Sequence, residues 1–567
     1  MEVIVDGCSI DARAGDTVAA AMLASGLVCT RTTPVSAAPR APFCMMGGCF
    51  DCLVTIDGVG SQQACQVAVA PGMRIDTQRQ GESLRPSRKS AAPPGNFDVA
   101  IVGGGPAGLA AATRCRAFGL DVVLFDEQPA PGGQIYRGIT RSPLRDPAVL
   151  GQDYWDGAPL VRAFQASGAH YVHDATVWSV VPAHGRVTLG VAIGAAAPRT
   201  AQWVSAGAVI LCTGAMERPF PVPGWTLPGV MTVGGAQILL KTAGVMPQGR
   251  TVLAGSGPLL WLLAWQYLRA GVAIEAILDT TPRGRMAKAL RHAPDFARSP
   301  YFAKGRELVR TVRRNVRLVE FVSNLAIEGE VAARSVRYGV DGREHTLAVD
   351  QVLLHQGVVP DVNLAQAAGC SLAWNELQAC FAPRVDAWGG TDVAGIYVAG
   401  DGSGVAGALA AAPRGRLAAL AVANALGRIS HATRDPMARR DRAELATALR
   451  GRAFLDTLYR PPDALRMPVG TTIVCRCEEV EAQTVIALAR QGCAGPNQMK
   501  AYLRCGMGPC QGRFCGLTVN ALIAHEQQRD PAEVGYYRLR FPVKPVTLAE
   551  MAAAPTTAEA VASVLRL

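Results

Sequence analysis

The placement of the cysteines constrains this chain most, because eight of its sixteen cysteines fall into two sets of four, one near each end. The N-terminal set is Cys44, Cys49, Cys52 and Cys65, in CMMGGCFDC and QQACQ. Its C-x4-C-x2-C…C spacing is that of a plant-type [2Fe–2S] site, in which one tight loop and one later position hold two irons. Structural zinc, the alternative, favours knuckle pairs separated by a longer stretch. The pattern therefore predicts a [2Fe–2S] cluster in a small N-terminal module.

The C-terminal set is Cys475 and Cys477 in CRCEEV, followed by Cys510 and Cys515 in GMGPCQGRFC. This set resembles the bacterioferritin-associated-ferredoxin-like [2Fe–2S] domain, which implies that these four cysteines bind a second cluster. Cys505 precedes Cys510 and is a candidate to replace Cys510 or Cys515 as a ligand. A four-cysteine zinc site remains the alternative for this set.

Between the two sets, FDVAIVGGGPAGLAAATRCRAFGLDVVLFDEQ has the strand, glycine turn and helix of a dinucleotide site. Gly103 permits the tight turn, Gly105 lets a pyrophosphate approach the backbone, and Gly108 lets the helix pack closely on the strand. The phosphate would then lie at a helix N-terminus, where free N–H groups favour anions. Asp126 ends the second strand and is predicted to bond the adenosine ribose, with Glu127 as the alternative.

A second, altered motif occurs in RTVLAGSGPLLWLLAWQYLRAG. Gly255 and Gly257 are in place, but Leu260 replaces the third glycine, which would separate helix and strand or crowd the phosphates. Asp279 ends the following strand, and an acid there disfavours the 2′-phosphate of NADP. NAD, another adenine nucleotide and an empty fold remain open for this half.

Neither dinucleotide half contains the C-x-x-C dithiol that a disulfide reductase needs beside its flavin. Such a reductase is therefore excluded. The isolated cysteines of this region are interpreted as core residues: Cys115, Cys212, Cys370 and Cys380.

The order of predicted elements indicates a multidomain α/β protein. A β-grasp ferredoxin-like module is predicted over 1–80, and the Pro-, Gly- and Ser-rich segment 81–96 is predicted to be a linker. Strands alternate with helices over 97–426, which predicts an FAD-binding domain from 97–225 and 376–426 and a second, NAD-like dinucleotide domain from 226–375. A helical connector (427–470), a small helical [2Fe–2S] domain (471–525) and a tail (526–567) follow.

The net charge of +11 comes mainly from arginines in 281–317 and 433–452, which are interleaved with acids. No aromatic-studded basic motif accompanies them, so nucleic-acid binding is not predicted. The apolar run LLWLLAWQYL is too short to span a bilayer, and the acidic N-terminus differs from a signal peptide. With cysteines at ligand spacing, these observations predict a cytoplasmic protein without a membrane span.

Three further segments make residues 97–426 similar to the flavoproteins related to glutathione and thioredoxin reductases: PGGQIYR (131–137), AVILCTGAMERP (208–219) and GIYVAGDGSG (395–404). The resemblance implies a bound FAD. It also implies that Gly133 and Gln134 lie near the flavin, that Thr213 and Gly214 close a strand over the dinucleotide, and that Asp401 bonds the ribityl chain.

With CRCEEV, GMGPCQGRFC and HQGVVPD added, residues 97–550 resemble the FAD-containing α (A) subunits of heteromeric bacterial amine dehydrogenases, such as opine oxidase, D-hydroxyproline dehydrogenase and hydrogen cyanide synthase. Residues 1–80 resemble their small ferredoxin subunit, fused here. The resemblance implies that the amine is oxidised at a second FAD, in a separate D-amino-acid-oxidase-like β subunit. This chain would then relay electrons through FAD and two [2Fe–2S] clusters to an external one-electron acceptor. An interfacial FMN, as in related sarcosine oxidases, has no readable motif here.

No catalytic acid or base is predicted. His355, in LLHQGVVPD, is interpreted as a satisfied histidine at a strand end, although it could approach the isoalloxazine ring. Two alternatives to the relay remain: a self-contained NADH-dependent ferredoxin-type reductase, and a scaffold that does not turn over.

Overall fold

The computed structural model describes residues 1–78, 95–144, 146–183, 185–196 and 199–553. Most of the predicted linker (81–96) and the end of the predicted tail lie outside these residues. The two described linker residues, Gly95 and Asn96, already belong to the first strand of the next domain. No helix in the described part of the chain is long and apolar enough to cross a membrane.

Residues 1–78 form a small sheet with one helix packed on it. The elements are β1 (Glu2–Val5), β2 (Cys8–Asp11), α1 (Val18–Ala24), β3 (Arg31–Thr32), β4 (Pro39–Arg40), β5 (Leu53–Ile56), β6 (Val59–Gln63) and β7 (Arg74–Thr77). The sheet has the order β2-β1-β7-β5-β6, with β1 and β7 parallel. Helix α1 begins after Thr17, whose hydroxyl accepts a hydrogen bond from the N–H of Ala20, and it buries an alanine-rich face. This is the predicted β-grasp module.

The described part of 95–225 supplies most of the first dinucleotide domain. Its elements are β8 (Gly95–Val102), α2 (Pro106–Ala117), β9 (Val122–Phe125), α3 (Gln152–Trp155), α4 (Ala158–Ala166), β10 (His170–Val172), β11 (Ala175–Ala183), β12 (Arg186–Ile193), β13 (Thr200–Leu211) and β14 (Ala215–Glu217).

Residues 226–426 continue through the second dinucleotide domain and return to the first. The elements are β15 (Val230–Thr232), α5 (Val233–Ala243), β16 (Thr251–Gly255), α6 (Pro258–Arg269), β17 (Ile274–Asp279), α7 (Arg285–Leu290), α8 (Ala293–Ala297), α9 (Phe302–Asn315), β18 (Leu318–Val319), β19 (Ser323–Glu328), β20 (Ser335–Val340), β21 (Arg343–Ala348), β22 (Gln351–His355), β23 (Val358–Pro360), α10 (Asn363–Ala367), β24 (Leu372–Asn375), β25 (Cys380–Pro383), β26 (Ile396–Val398) and α11 (Ala408–Ala425).

The first dinucleotide domain is built on a seven-stranded sheet of order β10-β9-β8-β13-β12-β11, with β26 also paired to β13. The strands β10, β9, β8, β13 and β26 are parallel, whereas β11 and β12 are antiparallel additions at one end. Helices α2 and α11 pack on each other. The carboxyl ends of β8 and β26 therefore bring the glycine turn and the loop of Asp401 to one edge of the sheet.

The second dinucleotide domain has a parallel five-stranded sheet of order β15-β22-β16-β17-β18 and a separate antiparallel sheet, β19-β20-β21. The domain boundary predicted after residue 375 falls between β24 and β25, which form an antiparallel hairpin. A boundary there would divide one hydrogen-bonded unit.

The described residues after 426 form a helical segment and a compact cysteine module. The elements are α12 (His431–Leu449), α13 (Arg452–Leu458), α14 (Asp463–Arg466), β27 (Ile473–Cys475), β28 (Val480–Glu481), α15 (Ala482–Arg490), α16 (Pro496–Leu503), α17 (Gly516–Glu526), α18 (Pro531–Val534) and α19 (Leu548–Ala553). The cysteines lie at the ends of β27 and α17 and in the loop between α16 and α17.

Candidate functional site

The four N-terminal cysteines are brought together and buried. Their thiols form two hydrogen-bonded pairs, Cys44 with Cys49 and Cys52 with Cys65. Burial opposes ionisation of Cys44, but hydrogen bonds from the Cys49 thiol and from the N–H groups of Met46, Gly48 and Cys49 hold its pKa down to about 6. A loop that directs several N–H groups at a sulfur stabilises the thiolate that a metal binds. These residues therefore fit an iron–sulfur cluster.

The C-terminal loops bring five cysteines together, one more than the predicted four. The sulfur atoms of Cys475, Cys505 and Cys515 all lie within 4.8 Å of one another. Cys477 and Cys510 form a separate hydrogen-bonded pair. From the sequence, Cys505 was predicted only as a possible replacement for Cys510 or Cys515. Its distance from Cys475 depends on how the two loops fold together, which residue spacing does not determine. The fifth thiol thus enters the site through tertiary structure.

The two cysteine modules meet at a buried junction of five residues: Phe43, Asp51, Trp225, Arg476 and Phe514. The guanidinium of Arg476 lies over the rings of Phe43 and Trp225, 3.9 and 4.6 Å from their centroids. The Phe43 ring also meets Phe514 edge-on at 5.9 Å. Each of these residues except Trp225 is adjacent in sequence to a cysteine of one set or lies between two of them. The junction therefore joins the two cysteine loops directly.

A buried ion pair crosses the same junction. The Arg476 Nε donates to Asp51 Oδ2 at 2.8 Å, and the side chains are 3% and 1% exposed. Arg31 and Arg40 also face Asp51, at 3.4 and 3.9 Å. Arg40 further pairs with Glu479, and its pKa is lowered by burial and by the nearby Arg476. Separating the modules would break the two pairs that cross the junction, Arg476 with Asp51 and Arg40 with Glu479.

A hydrophobic cluster shows which sides of the two cysteine sets face each other. Cys44, Cys49 and Cys510 are buried members of one cluster, and Cys477 packs against it. The other cysteines of each set belong to two different clusters. The Cys44/Cys49 pair and the Cys477/Cys510 pair are therefore the neighbouring edges of the two sites.

A cavity of about 770 Å³ is lined by the first dinucleotide domain, by the ferredoxin module, and by parts of the second dinucleotide domain and of the helical segment after residue 426. Its wall contains all but one of the residues predicted to contact FAD: Gly103, Gly105, Asp126, Gly133, Gln134, Thr213, Gly214 and Asp401. The exception, Gly108, lies behind the wall, where a Cβ would come within 2.0 Å of the Gly103 carbonyl oxygen. That contact is the close helix–strand packing predicted for the third glycine.

Close backbone contact explains the glycines in the wall. Gly133 has φ +61°, and a Cβ there would lie 2.6 Å from the Gly105 Cα. Gly105 precedes α2, so the wall includes a free helix N-terminus. The two glycines leave space beside these N–H groups for a pyrophosphate, which an added side chain would fill. The cradle therefore fits a dinucleotide.

Asp126 lies over the glycine turn, where it accepts hydrogen bonds from the Tyr171 hydroxyl and the N–H of Gln128, at 3.3 and 3.2 Å. Burial raises its pKa to about 6, although the nearby Arg137 opposes the shift. The alternative acid, Glu127, is already paired with Lys544 at 2.6 Å. The structure thus leaves Asp126 as the acid beside the turn.

Sequence reasoning missed a buried lysine that supports the cavity wall. Lys241, on α5, donates to the carbonyl oxygen of Ile135 at 2.9 Å and to Gln237 Oε1 at 2.8 Å. A longer bond of 3.3 Å reaches the carbonyl of Gln134. Burial lowers the pKa of Lys241 to about 7. The only sequence feature that could have indicated this buried lysine is its position as the one charged residue of an apolar helix.

The glycines and the acid of the second motif do not line this cavity, since Gly255, Gly257 and Asp279 are absent from its wall. The helix that follows the glycines does reach the wall, through Pro258, Leu259, Trp261 and Leu262. A Cβ on Gly255 would lie 1.7 Å from the His355 carbonyl oxygen, and one on Gly257 would lie 2.8 Å from His355 Nε2. Leu260 is fully buried in the core. Close packing of His355 therefore accounts for both glycines without a nucleotide.

His355 is buried and its Nδ1 lies 2.6 Å from Glu217 Oε2. It thus has the partner expected of a satisfied histidine. The four cysteines interpreted as core residues are also buried: Cys115, Cys212, Cys370 and Cys380.

Comparison with known proteins identifies the chain's relatives. The family model described as pyridine nucleotide-disulphide oxidoreductase matches residues 97–425, and a 2Fe-2S iron-sulfur cluster binding domain matches residues 1–80. The sarcosine oxidase A3 domain matches 470–555. The opine oxidase A subunit of Agrobacterium tumefaciens (strain Ach5) is 49% identical over 475 residues, which cover 82% of this chain and 94% of that protein. The chain belongs to the family of opine oxidase A subunits.

Two further relatives extend this placement. Hydrogen cyanide synthase subunit HcnB of Pseudomonas aeruginosa is 32% identical, over 80% of this chain and 97% of that protein. L-proline dehydrogenase from P. horikoshii shares the fold, with a TM-score of 0.72 at 20% identity over 97% of this chain and 96% of that one. The predicted fold class and family are confirmed. As a member of this family, the chain is an FAD-dependent oxidoreductase with an iron–sulfur cluster.

Proposed function

We propose that this chain is the electron-transferring subunit of an amine or amino-acid dehydrogenase complex. A partner subunit oxidises an opine, D-hydroxyproline or a glycine- or sarcosine-like substrate. This chain passes the two electrons through FAD and two [2Fe–2S] clusters to an external one-electron acceptor. The observation that carries the proposal is that Cys44 lies in the wall of the flavin cavity. Its module also shares a buried junction with the C-terminal cysteines.

The cofactors supply the electron chemistry, because a flavin exchanges electrons in pairs or singly and an iron–sulfur cluster exchanges them singly. The chain's own residues position these groups. We assign the dinucleotide to the cradle of Gly103, Gly105 and Gly133, and the first cluster to Cys44, Cys49, Cys52 and Cys65. We assign the second cluster to the C-terminal cysteines, of which Cys475, Cys477, Cys510 and Cys515 are the predicted ligands.

The carboxylates of the cavity wall support a relay rather than a substrate site. Each of the five already has a polar partner: Asp126 with Tyr171, Glu127 with Lys544, Glu217 with His355, Asp361 with Arg513, and Asp401 with the N–H groups of Ala406 and Gly407. No histidine lines the described wall. A general base needs a free acceptor directed at the substrate. We therefore place amine oxidation on the partner, which by family resemblance is a D-amino-acid-oxidase-like subunit with its own FAD.

The second dinucleotide domain has no assigned role in this relay. The packing of His355 against Gly255 and Gly257 explains these glycines, so we propose that electrons enter from the partner and not from NADH. NAD or another adenine nucleotide beside Asp279 would require His355 to leave this position, because its Nε2 occupies the approach to Gly257.

Two mixing experiments test the proposal. The chain purified with its partner and given amine substrate should show reduction of the flavin and then of two iron–sulfur EPR signals. The chain mixed with NADH alone in a stopped-flow instrument should keep its oxidised flavin spectrum. Rapid bleaching by NADH would establish the reductase alternative, and clusters that stay silent with substrate would indicate a scaffold. Acid extraction of the complex reports whether FMN accompanies FAD.

A further inference from the structure

We propose that Cys505 and Cys515 are interchangeable ligands of one iron in the C-terminal cluster. The inference rests on the proposed second cluster and deepens it. Five thiols converge on this site, whereas a [2Fe–2S] cluster takes four, two on each iron. In the structure the five thiols form one group of three and one pair, and this grouping decides which thiol Cys505 can replace.

The thiol contacts define the two ligand positions. Cys477 and Cys510 are hydrogen-bonded to each other, and the Cβ of Cys477 is held against Gly508, two residues before Cys510. Cys475 forms hydrogen bonds with both Cys505 and Cys515. One iron is therefore assigned to Cys477 and Cys510. The other is assigned to Cys475 together with either Cys505 or Cys515.

This grouping narrows the set of ligands that Cys505 could replace. Spacing alone permitted it to replace either Cys510 or Cys515. In the structure Cys505 lies within 4.8 Å of Cys475 and Cys515, and Cys510 is not a member of that group. Cys505 is thus a rival of Cys515 only.

The buried hydroxyl of Tyr537 is placed to form a hydrogen bond with whichever of the Cys505 and Cys515 thiols does not bind iron. Tyr537 is fully buried, its hydroxyl lies 3.7 Å from the Cys515 sulfur, and it also forms a hydrogen bond with Cys505. Its ring is wedged between Gly506 and Gly512, where added Cβ atoms would lie 2.5 Å from ring carbons. Gly506 directly follows Cys505 and Gly512 lies three residues before Cys515, so both candidate loops are shaped around the same ring.

The exchange is a ligand substitution without electron transfer. The Cys505 thiol loses its proton as its sulfur binds iron, the bond from iron to Cys515 breaks, and the released thiolate takes up a proton. The iron oxidation states and the total charge are unchanged. The hydroxyl of Tyr537 remains hydrogen-bonded to the free sulfur in either arrangement.

Cysteine-to-serine variants of the full-length chain test the inference by iron and sulfide content per flavin and by EPR after dithionite reduction. Cys505→Ser and Cys515→Ser should each keep both clusters, with a shifted C-terminal signal in at least one of them. The double variant and Cys510→Ser should lose half of the iron and keep only the ferredoxin signal. Cys493→Ser is the matched control, since that thiol is buried in the same module but bonds the carbonyl of Gly495.

Specific results would overturn the inference. If either single variant loses the C-terminal signal as completely as Cys510→Ser, the two cysteines are not interchangeable. If the double variant keeps both clusters, neither cysteine is a ligand. Tyr537→Phe, which retains the ring, should shift the C-terminal signal and leave the ferredoxin signal unchanged; an unchanged spectrum would remove the role of the hydroxyl. A wild-type chain with one cluster and one zinc would instead refute the two-cluster function itself.

Discussion

The Asp51–Arg476 ion pair should hold the two cysteine modules together, and its strength follows from its geometry. At 2.8 Å and an effective dielectric constant of about 20, the attraction is about 6 kcal/mol. Desolvation of two nearly inaccessible side chains offsets much of it, so the net contribution of the intact pair is small. Removing only one partner costs more than the intact pair contributes, because the remaining charge stays buried without a counter-charge. We expect Asp51→Asn and Arg476→Gln each to destabilise the protein by about 3–5 kcal/mol.

Asp51→Asn should lie at the upper end of that range. Arg31 and Arg40 also face Asp51, and the Nε atoms of both lack a hydrogen-bond partner in the described structure. The amide removes the charge that offsets three guanidinium groups, yet it retains the backbone N–H that donates to the Cys49 sulfur at 3.5 Å. The perturbation thus acts on the junction with little change in the cysteine loop.

Urea unfolding of the flavin- and cluster-loaded protein, followed by visible absorption, measures these effects as shifts in midpoint at a common slope. The double variant should cost about as much as either single one, which gives a coupling energy as large as one single cost, about 3–5 kcal/mol. Asp350→Asn is the control, because its pair with Arg250 is exposed to solvent and should contribute little to stability. The reasoning would be refuted if the single variants lose no more stability than this control. It would also be refuted if the stability loss of the double variant equals the sum of the two single losses.

Two further perturbations test the flavin cavity. Because burial lowers the pKa of Lys241 to about 7, the unfolded chain binds a proton that the folded chain lacks between that pH and the ordinary lysine pKa, and stability rises with pH there. Lys241→Met should abolish this contribution in thermal melts from neutral to alkaline pH; an undiminished rise would contradict the assignment. Gly133→Ala should release FAD on gel filtration, because its Cβ would meet Gly105, whereas Gly119→Ala, also at positive φ but facing open space, should retain it. Equal flavin loss in both variants would show that backbone strain alone is responsible.

The sequence could predict the features that depend on local backbone geometry. The glycine turn at 103–108 and the loop of Cys44, Cys49 and Cys52 are short segments whose residue spacing alone fixes which groups converge. The structure places Gly103 and Gly105 in the flavin cavity wall, Gly108 directly behind it, and the three cysteines in a buried loop. The pairing of β26 with β13 was harder to predict from sequence, because most of the second dinucleotide domain separates these two strands along the chain.

The junction could not be predicted because Asp51 and Arg476 are 425 positions apart in the sequence. A signal was nevertheless present in the cysteine motifs. Each motif carries a charged residue between two cysteines predicted to bind a cluster, Asp51 in CFDC and Arg476 in CRC. Buried charges require partners, and these two are opposite in sign. Sequence spacing could suggest that pairing but could not supply the aromatic rings of Phe43 and Trp225 around it.

The buried junction also bears on how electrons would leave the chain under the proposed relay. Domains that move relative to one another usually share polar, accessible interfaces, whereas Asp51 and Arg476 are almost inaccessible and Arg476 is enclosed by aromatic rings. Undocking would expose those rings and break the ion pair, so a ferredoxin module that swings out to an acceptor is disfavoured. The same docking places the Cys44/Cys49 edge beside the Cys477/Cys510 edge, so under the proposed relay no such motion is needed between the two cysteine sites. If the chain relays electrons as proposed, its acceptor therefore binds to the assembled chain, and the ferredoxin module does not travel to it.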